Sequence, residues 1–315
     1  MQGFLFVFAA ATFWGVAGVI VKFLYRSRDI DPVTLTQLRV TLCFLCGGLF
    51  LAVLKPRLLR IRLADLPFVA LYGLVGITST QITYYCAIHE SSVSVAIFLQ
   101  FCAPILTCLY EILFQHRRPG RFTFPVLALA IGGALLLLFG RGGRPAAPAA
   151  GIAWGVASAF ALATYTLIGR SAVRRLNPWT LLFWSTGISS LFWAVVHPVR
   201  LVLATPWTPV DWGFFLYLAV FTTFVPFGLY LTGLKSIGAT TAIVTGGLEP
   251  VWATVLAGLV LGEGLAVGQI LGCLAILTAV VSLQVLPGAA ITDARPAGAP
   301  PGESTRAQPT PANPR

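Results

Sequence analysis

Two short stretches decide the fold: DPVTL at residues 31–35 and NPWTL at residues 177–181, which lie 146 positions apart. The same separation, without a gap, relates two tyrosines, two Ala-Ile pairs and two prolines: Tyr84 and Tyr230, Ala96-Ile97 and Ala242-Ile243, and Pro104 and Pro250. Chance can supply one such match, but four in one register indicate a duplicated unit. The pattern predicts two related halves, residues 1–145 and 146–286.

The composition places both halves in a membrane. Of 315 residues, 57% are apolar and only 10% are charged, whereas soluble domains carry about 25% charged residues. The net charge of +11 lies in short basic clusters between apolar runs, which is typical of membrane topology signals and not of nucleic-acid binding. We therefore expect an all-α integral membrane protein whose surroundings are the lipid bilayer, with no nucleic-acid partner.

Interruptions by charge, proline or glycine divide the apolar sequence into ten segments, most of them near the 20 residues that cross roughly 30 Å of hydrocarbon. They are residues 4–24, 32–54, 66–88, 91–113, 122–139, 151–169, 178–197, 212–234, 240–261 and 265–286. Each half holds five segments, so the second half must enter the membrane from the opposite side. This predicts ten transmembrane helices as two inverted five-helix repeats, an arrangement typical of secondary transporters. Residues 287–315, rich in Pro, Ala and Thr, are predicted to form a disordered tail.

Basic residues in the short loops predict the orientation. With the N-terminus in the cytoplasm, eleven Lys and Arg residues fall on the inner side and six on the outer side. We therefore expect both termini to be cytoplasmic. Short loops and a simple repeat fit a multi-pass protein of a bacterial plasma (inner) membrane.

Several motifs carry a family resemblance. They are GLEPVWA at residues 247–253, Gly262-Glu263, Trp14-Gly15, Arg39, SSV at residues 91–93, and Ala103-Pro104. Together they resemble the drug/metabolite transporter superfamily, EamA-type, over residues 4 to 286. The resemblance implies ten helices, efflux or exchange of small polar metabolites, amino acids or drugs, and no cofactor. One departure is His116-Arg117, which stands where the first repeat should match Gly262-Glu263.

Glu249 is the most informative candidate for binding substrate. It falls about midway along the ninth segment, beside Pro250, which removes a backbone hydrogen bond and bends the helix. A carboxylate at that depth costs about 2.5 to 3.5 kcal/mol, so it should face the protein interior and bind substrate, take up a proton or pair. The alternative is a protonated side chain that only stabilises the bend. Pro104 and Pro250 are the predicted hinges.

Arg39 lies about 10 Å inside the outer boundary of the second segment, at 1.5 Å per residue. Its planar guanidinium suits a substrate carboxylate, but snorkelling or a structural hydrogen-bond network are the favoured alternatives. Polar and aromatic side chains in the apolar segments complete the predicted binding site, although any single one is more often packing than contact. They are Trp14, Gln81, Tyr84, Tyr85, Gln100, Tyr165 and Tyr230.

Glycines at spacing four give the tenth segment one smooth face, at Gly264, Gly268 and Gly272. We prefer internal packing of this face against the ninth helix, and a homodimer through the tenth helix is the alternative. Glu263, at the end of the ninth segment, is predicted to be a solvated helix-end residue.

Rival functions lack a matching pattern in the sequence. An intramembrane enzyme would need paired acids or a histidine cluster, but His89, His116 and His197 lie near helix ends and no H-E-x-x-H pattern occurs. A channel would need a charged ring, and Ala103 occupies the position of Glu249 in the first repeat. The six cysteines lie in apolar segments, so neither a metal site nor a disulfide framework is expected. A non-transporting scaffold is the remaining alternative to a transporter of small molecules.

Overall fold

The computed structural model describes residues 2–114, 119–140 and 145–286, apart from the side chains of 111, 236–245, 248, 283 and 284. The predicted tail, residues 287–315, lies outside this part of the chain. Within it, fourteen α-helices form and no β-strand occurs. The helices are α1 Gln2–Arg28, α2 Pro32–Leu54, α3 Leu66–Leu71, α4 Ser79–Glu90, α5 Val93–Gln100, α6 Ala103–Leu113, α7 Thr123–Phe139, α8 Ala149–Arg175, α9 Pro178–Val196, α10 Val199–Ala204, α11 Pro209–Ala219, α12 Val225–Gly246, α13 Leu248–Leu261 and α14 Val267–Val285.

Seven helical stretches in the described residues are long and apolar enough to cross a membrane, which confirms the all-α membrane fold in outline. They are Gln2–Arg28, Pro32–Leu54, Leu63–Glu90, Val93–Tyr110, Ala149–Arg175, Pro178–Val196 and Pro209–Lys235. Three shorter apolar helices accompany them, at Thr123–Phe139, Glu249–Leu261 and Val267–Ser282. Each of the ten predicted segments therefore overlaps an apolar helical stretch.

Two predicted boundaries are wrong. The expected loop between residues 234 and 240 is absent, because α12 stays helical to Gly246. The ninth segment breaks instead at Gly247, and the fourth breaks at Phe101 and Cys102, between α5 and α6. Each break comes three residues before a proline, at 104 and 250, because a proline cannot donate to the preceding turn and is tolerated only in the first turn of a new helix.

Several local features recur 146 residues apart. Asp31 and Asn177 each cap the helix that follows: the Thr34 N–H donates to Asp31 Oδ1 at 2.8 Å and the Trp179 N–H to Asn177 Oδ1 at 3.0 Å. Proline occupies the first helical position after both caps, where its missing N–H costs nothing. The sequence match that decided the prediction is thus a pair of equivalent helix starts.

The third and eighth segments each contain a π-helical stretch, at Tyr72–Thr78 and Val220–Phe224. Shifted by 146 residues, the second stretch falls inside the first. Each stretch packs against the second helix of the other half. A Cβ on Gly73 would lie 2.7 Å from the Ser185 carbonyl oxygen of α9, and Arg39 of α2 bonds Thr222 and Thr223. π-helical turns interrupt the regular backbone ladder and are frequent at functional sites. These two stretches lie where the halves of the chain meet.

The glycine face of α14 packs within the chain, but against α7. A Cβ on Gly268 would lie 2.6 Å from the Gly140 carbonyl oxygen, and one on Gly272 would lie 2.6 Å from the Gly133 carbonyl oxygen. The expected packing against the ninth helix is therefore wrong in its partner, because the close contacts of Gly268 and Gly272 are with Gly140 and Gly133. The homodimer through Gly264, Gly268 and Gly272 stays a prediction, and two of its three glycines already make contacts inside one chain.

Candidate substrate cavity

A cavity lies between the two halves at the level of the helix breaks. Its volume is about 110 Å³, counted as the space open to the centre of a water molecule. One water needs roughly 10–15 Å³ on that measure, so the cavity has room for a small metabolite. Its wall includes most of the residues that the sequence singled out: Trp14, Arg39, Gln81, Tyr84, Gln100, Pro104, Tyr165, Tyr230 and Glu249.

Glu249 reaches the cavity from the first turn of α13. Its side chain is half-buried, and no hydrogen bond to its carboxylate occurs among the described residues. The N-terminal end of a helix favours a carboxylate by about 0.3–1 kcal/mol, up to about 2 kcal/mol when partly buried. That gain offsets only part of the cost of about 2.5–3.5 kcal/mol for a charge at this depth. The break at Gly247 thus supplies Glu249 with a partial positive charge and leaves room for a cationic partner.

Arg39 is buried, with 4% of its surface exposed, and is held by four neutral groups. The guanidinium donates to Gln81 Oε1 at 3.0 Å, and to the Tyr85 hydroxyl, Thr223 Oγ1 and the Thr222 carbonyl oxygen. No acidic side chain of the described residues lies within salt-bridge distance of it. Its charge interacts with that of Glu249 across the cavity. Arg39 therefore takes part in a hydrogen-bond network, one of the alternatives foreseen, and does not snorkel.

Aromatic rings form the wall around Glu249. The Trp14 ring meets Phe227 edge-on with centroids 5.0 Å apart, and its centroid lies 5.4 Å from that of Tyr230. Tyr84 and Tyr230, which lie 146 residues apart in the sequence, are on the same cavity wall as Glu249. A carboxylate among aromatic faces is an environment that binds ammonium groups, because ring faces and carboxylate attract the same cation.

Three buried donors in the cavity wall have no hydrogen-bond partner in the described part of the chain: Trp14 Nε1, Gln81 Nε2 and the Tyr165 hydroxyl. Buried donors are seldom left unpaired, since each costs about 1–3 kcal/mol. Three unpaired donors in one cavity indicate that an acceptor from a ligand or from water completes them.

Two of the predicted site residues lie outside the cavity wall. Tyr85 is fully buried behind Arg39, to which its hydroxyl bonds, and Pro250 is buried next to Glu249. Tyr85 faces away because it directly follows Tyr84 on a helix, where neighbours point in different directions.

The sequence also missed several wall residues, namely Thr80, Phe101, Thr107, Thr166 and Phe227. The three threonines each donate to a carbonyl of their own helix, four residues earlier. A threonine hydroxyl in an apolar helix can form this hydrogen bond anywhere in a membrane, so a threonine in the sequence does not indicate a cavity.

The cavity and the helices define a polytopic membrane protein with a mainly apolar cavity between its halves, whose wall carries the charged side chains of Arg39 and Glu249. The chain belongs to the EamA-like transporter family, whose model matches residues 1–139 and 149–284. This confirms the resemblance noted in the sequence, and the chain is therefore a member of a transporter family.

Relatives agree with that assignment. The chain is 28% identical to the uncharacterized inner membrane transporter YicL of Salmonella typhimurium, over 90% of this chain and 95% of that one. It is 26% identical to the uncharacterized transporter YwfM of Bacillus subtilis, over 90% and 94%. It is 29% identical to the threonine/homoserine exporter RhtA of Salmonella typhimurium, over 78% and 79%. A solved crystal structure that is 18% identical shares the fold with a TM-score of 0.62, over 90% and 96%.

Proposed function

We propose that this protein is a secondary transporter that exports or exchanges zwitterionic amino acids by alternating access. The observation that carries the proposal is the pair of opposite charges, Arg39 and Glu249, on the wall of one cavity. They interact electrostatically, yet no salt bridge joins them. A ligand with both a carboxylate and an ammonium group would neutralise the two charges at once.

The remaining wall fits such a ligand. The unpaired donors of Trp14 and Gln81 suit a carboxylate or hydroxyl oxygen, and the rings near Glu249 suit an ammonium group. The relative RhtA is a threonine/homoserine exporter, and both of these substrates are small zwitterions. At 29% identity it supports the substrate class and not the particular substrate.

The transport mechanism rests on ten crossings in two inverted repeats, residues 1–145 and 146–286. Two helices of the second half support this arrangement by lying along α1 in opposite directions. Trp14 meets Tyr230 while Gly233 meets Val7 and Gly3, so α12 runs antiparallel to α1. Gly15 meets Trp252 while Arg26 meets Leu261, so α13 runs parallel to it. The helix breaks before Pro104 and Pro250 would then be symmetry-related hinges around the site.

The basic loops support a plasma (inner) membrane location with both termini in the cytoplasm. Lys55, Arg57, Arg60 and Arg62 are exposed in the loop that follows α2, and Arg174 and Arg175 end α8. Basic residues are retained on the cytoplasmic side of short loops.

The test is substrate counterflow in proteoliposomes that contain the purified protein. We expect accumulation of labelled threonine or another small amino acid when the same amino acid is preloaded. The matched competitors are the methyl ester, which lacks the carboxylate, and the N-acetyl derivative, which lacks the ammonium group. Both should compete at least tenfold less well than the free amino acid, since each leaves one buried charge unpaired. Equal competition by a simple amine or a simple carboxylate would overturn the zwitterion assignment. Absence of counterflow for the whole amino-acid panel would favour the scaffold or enzyme alternatives.

A further inference from the structure

The corner between α4 and α5 is held by two charged side chains from other elements. Lys22 of α1 donates to the Ile88 carbonyl oxygen at 2.7 Å and to the Ser91 carbonyl oxygen at 2.6 Å. These carbonyls end α4, where a helix carries partial negative charge and an ammonium group is stabilising. Lys22 therefore caps a neighbouring helix.

Glu263 holds the other side of the same corner. It lies between α13 and α14, in the second half of the chain, and accepts a hydrogen bond from the Val93 N–H at 3.0 Å. Val93 is the first residue of α5, where the helix carries partial positive charge. Only 9% of the Glu263 side chain is exposed, so the predicted solvated role is wrong. Arg26 also donates a hydrogen bond to the Leu261 carbonyl oxygen at 2.9 Å.

A tight apolar layer lies directly beneath these contacts. A Cβ on Gly18 of α1 would lie 2.9 Å from Val93 Cγ1, 3.1 Å from the Tyr84 hydroxyl and 3.8 Å from Ile88 Cδ1. Tyr84 is itself part of the cavity wall. Charged contacts and this layer thus close the cavity at the end where α1 finishes.

We propose that Lys22 and Glu263 form a latch, which we call the corner latch, that closes this end of the cavity and must open for substrate to pass there. The latch joins α1, the α4–α5 corner and the loop after α13, so it links both halves of the chain. Alternating access requires contacts of this kind to break on one side of the site at a time. The inference rests on the proposed transport function for its purpose, but not for its geometry.

The test is the reactivity of a cysteine placed in the cavity wall. Ala17→Cys, in a variant whose six native cysteines are replaced, puts a thiol on α1 beneath the latch. A membrane-impermeant thiol reagent is applied to right-side-out and inside-out vesicles. With the latch intact, we expect slow labelling from the side where α1 ends.

Glu263→Ala removes the acceptor for the Val93 N–H and should speed labelling from that side about tenfold, as expected for loss of one charge-assisted hydrogen bond. Glu263→Gln keeps an acceptor oxygen and should label no faster than the parent. The matched control is Glu90→Ala, which removes the same charge from an exposed position one turn away. Faster labelling in both alanine variants would mean a general charge effect and would overturn the latch.

Unchanged labelling in Glu263→Ala would also overturn it, provided that the variant elutes as a folded protein. Lys22→Met offers a second route to the same conclusion and should also accelerate labelling. Because labelling needs no transport, the latch can hold when counterflow fails, and counterflow can succeed when the latch fails. The two proposals are therefore tested separately.

Discussion

Glu249 and Arg39 are the charged side chains on the described wall of the cavity, and their surroundings differ. Arg39 is surrounded by four bonding partners, whereas Glu249 has the end of a helix on one side and the cavity on the other. A positive charge with a full set of bonds is fixed in place. A carboxylate without them is free to bind and release a cation, so we propose that Glu249 is the residue whose occupancy changes during transport.

Glu249→Gln tests that role. The substitution keeps the size and hydrogen-bonding capacity of the side chain and removes its charge. We expect normal expression and folding, with a loss of counterflow of at least tenfold from an unpaired substrate ammonium group. Gln100→Glu, combined with Glu249→Gln, serves as a control. It adds a carboxylate elsewhere in the wall, and the double variant should not regain transport. Wild-type counterflow in Glu249→Gln would return this residue to a purely structural role.

Arg39→Lys tests the fixed charge. Lysine keeps the charge but cannot reach Thr222, Thr223 and Gln81 together, because it lacks the planar fork. We expect the free energy of unfolding to fall by about 3 kcal/mol, within the range for losing hydrogen bonds to a buried charge. Thermal unfolding in detergent measures it. Arg200→Lys, at an exposed position, should leave the midpoint unchanged, and equal midpoints for the two variants would contradict the prediction.

Much of the cavity wall could be predicted from the sequence. A polar or aromatic group in an apolar helix costs free energy in lipid, so it is expected to face the protein interior. Glu249, Arg39, Gln81 and Gln100 stood out in this way. The partners of Arg39 did not, since Thr222 offers its backbone and Thr223 resembles any membrane threonine. Which of Tyr84 and Tyr85 faces the cavity depends on helix rotation, which packing against α1 and α2 decides.

At the scale of elements, the helix starts were predictable and the helix breaks were not. Asp31-Pro32 and Asn177-Pro178 combine a cap with a proline at the first position, which is a local and complete signal. Pro104 and Pro250 predicted bends, but the breaks lie one turn earlier, where the freed carbonyls are. The π-helical stretches have no sequence signal, because contacts with the other half stabilise them.

The close approach of α7 and α14 gives a test at this scale. A Cβ on Gly133 would lie 2.9 Å from the Gly272 carbonyl oxygen, whereas one on the adjacent Gly132 would meet nothing within 4 Å among the described residues. We expect Gly133→Ala to destabilise the protein by about 1–3 kcal/mol through overpacking. Gly132→Ala should be neutral or slightly stabilising, because alanine is the better helix former. Thermal unfolding in detergent compares them, and equal shifts would argue against the contact.

At the scale of the whole molecule, the proposed inverted arrangement predicts which loops share a side. We expect Arg60→Cys, in the loop after α2, and Ser304→Cys, in the C-terminal tail, to react with an impermeant reagent from one side. Thr205→Cys, exposed between α10 and α11, should react from the other. The reason is that an odd number of crossings separates Thr205 from each of the other two positions. Labelling of Arg60→Cys and Ser304→Cys from opposite sides would overturn both the topology and the inverted repeat.

The corner latch makes the closed molecule sensitive to pH in a definite direction. Burial raises the pKa of the Glu263 carboxyl above its ordinary value, against the smaller opposing effects of the Val93 N–H, Lys22 and Arg26. Opening the latch exposes Glu263 to water, so its pKa in the open state returns toward the ordinary value. The closed state therefore binds the proton more tightly, and acid on that side favours closure.

Labelling of Ala17→Cys from the latch side should accordingly slow as the pH of that side falls through the raised pKa. The rate is compared with that of an exposed reporter, Thr205→Cys, to remove the pH dependence of the thiol itself. Glu263→Gln has no proton to bind at this position and should show a flat, slow profile, and Glu263→Ala a flat, fast one. Other titratable groups face the latch, namely His89 and Glu90 at the end of α4, and Glu90→Gln should leave the profile unchanged. Labelling that quickens in acid would mean that the charge of Glu263, and not its buried position, decides the closed state.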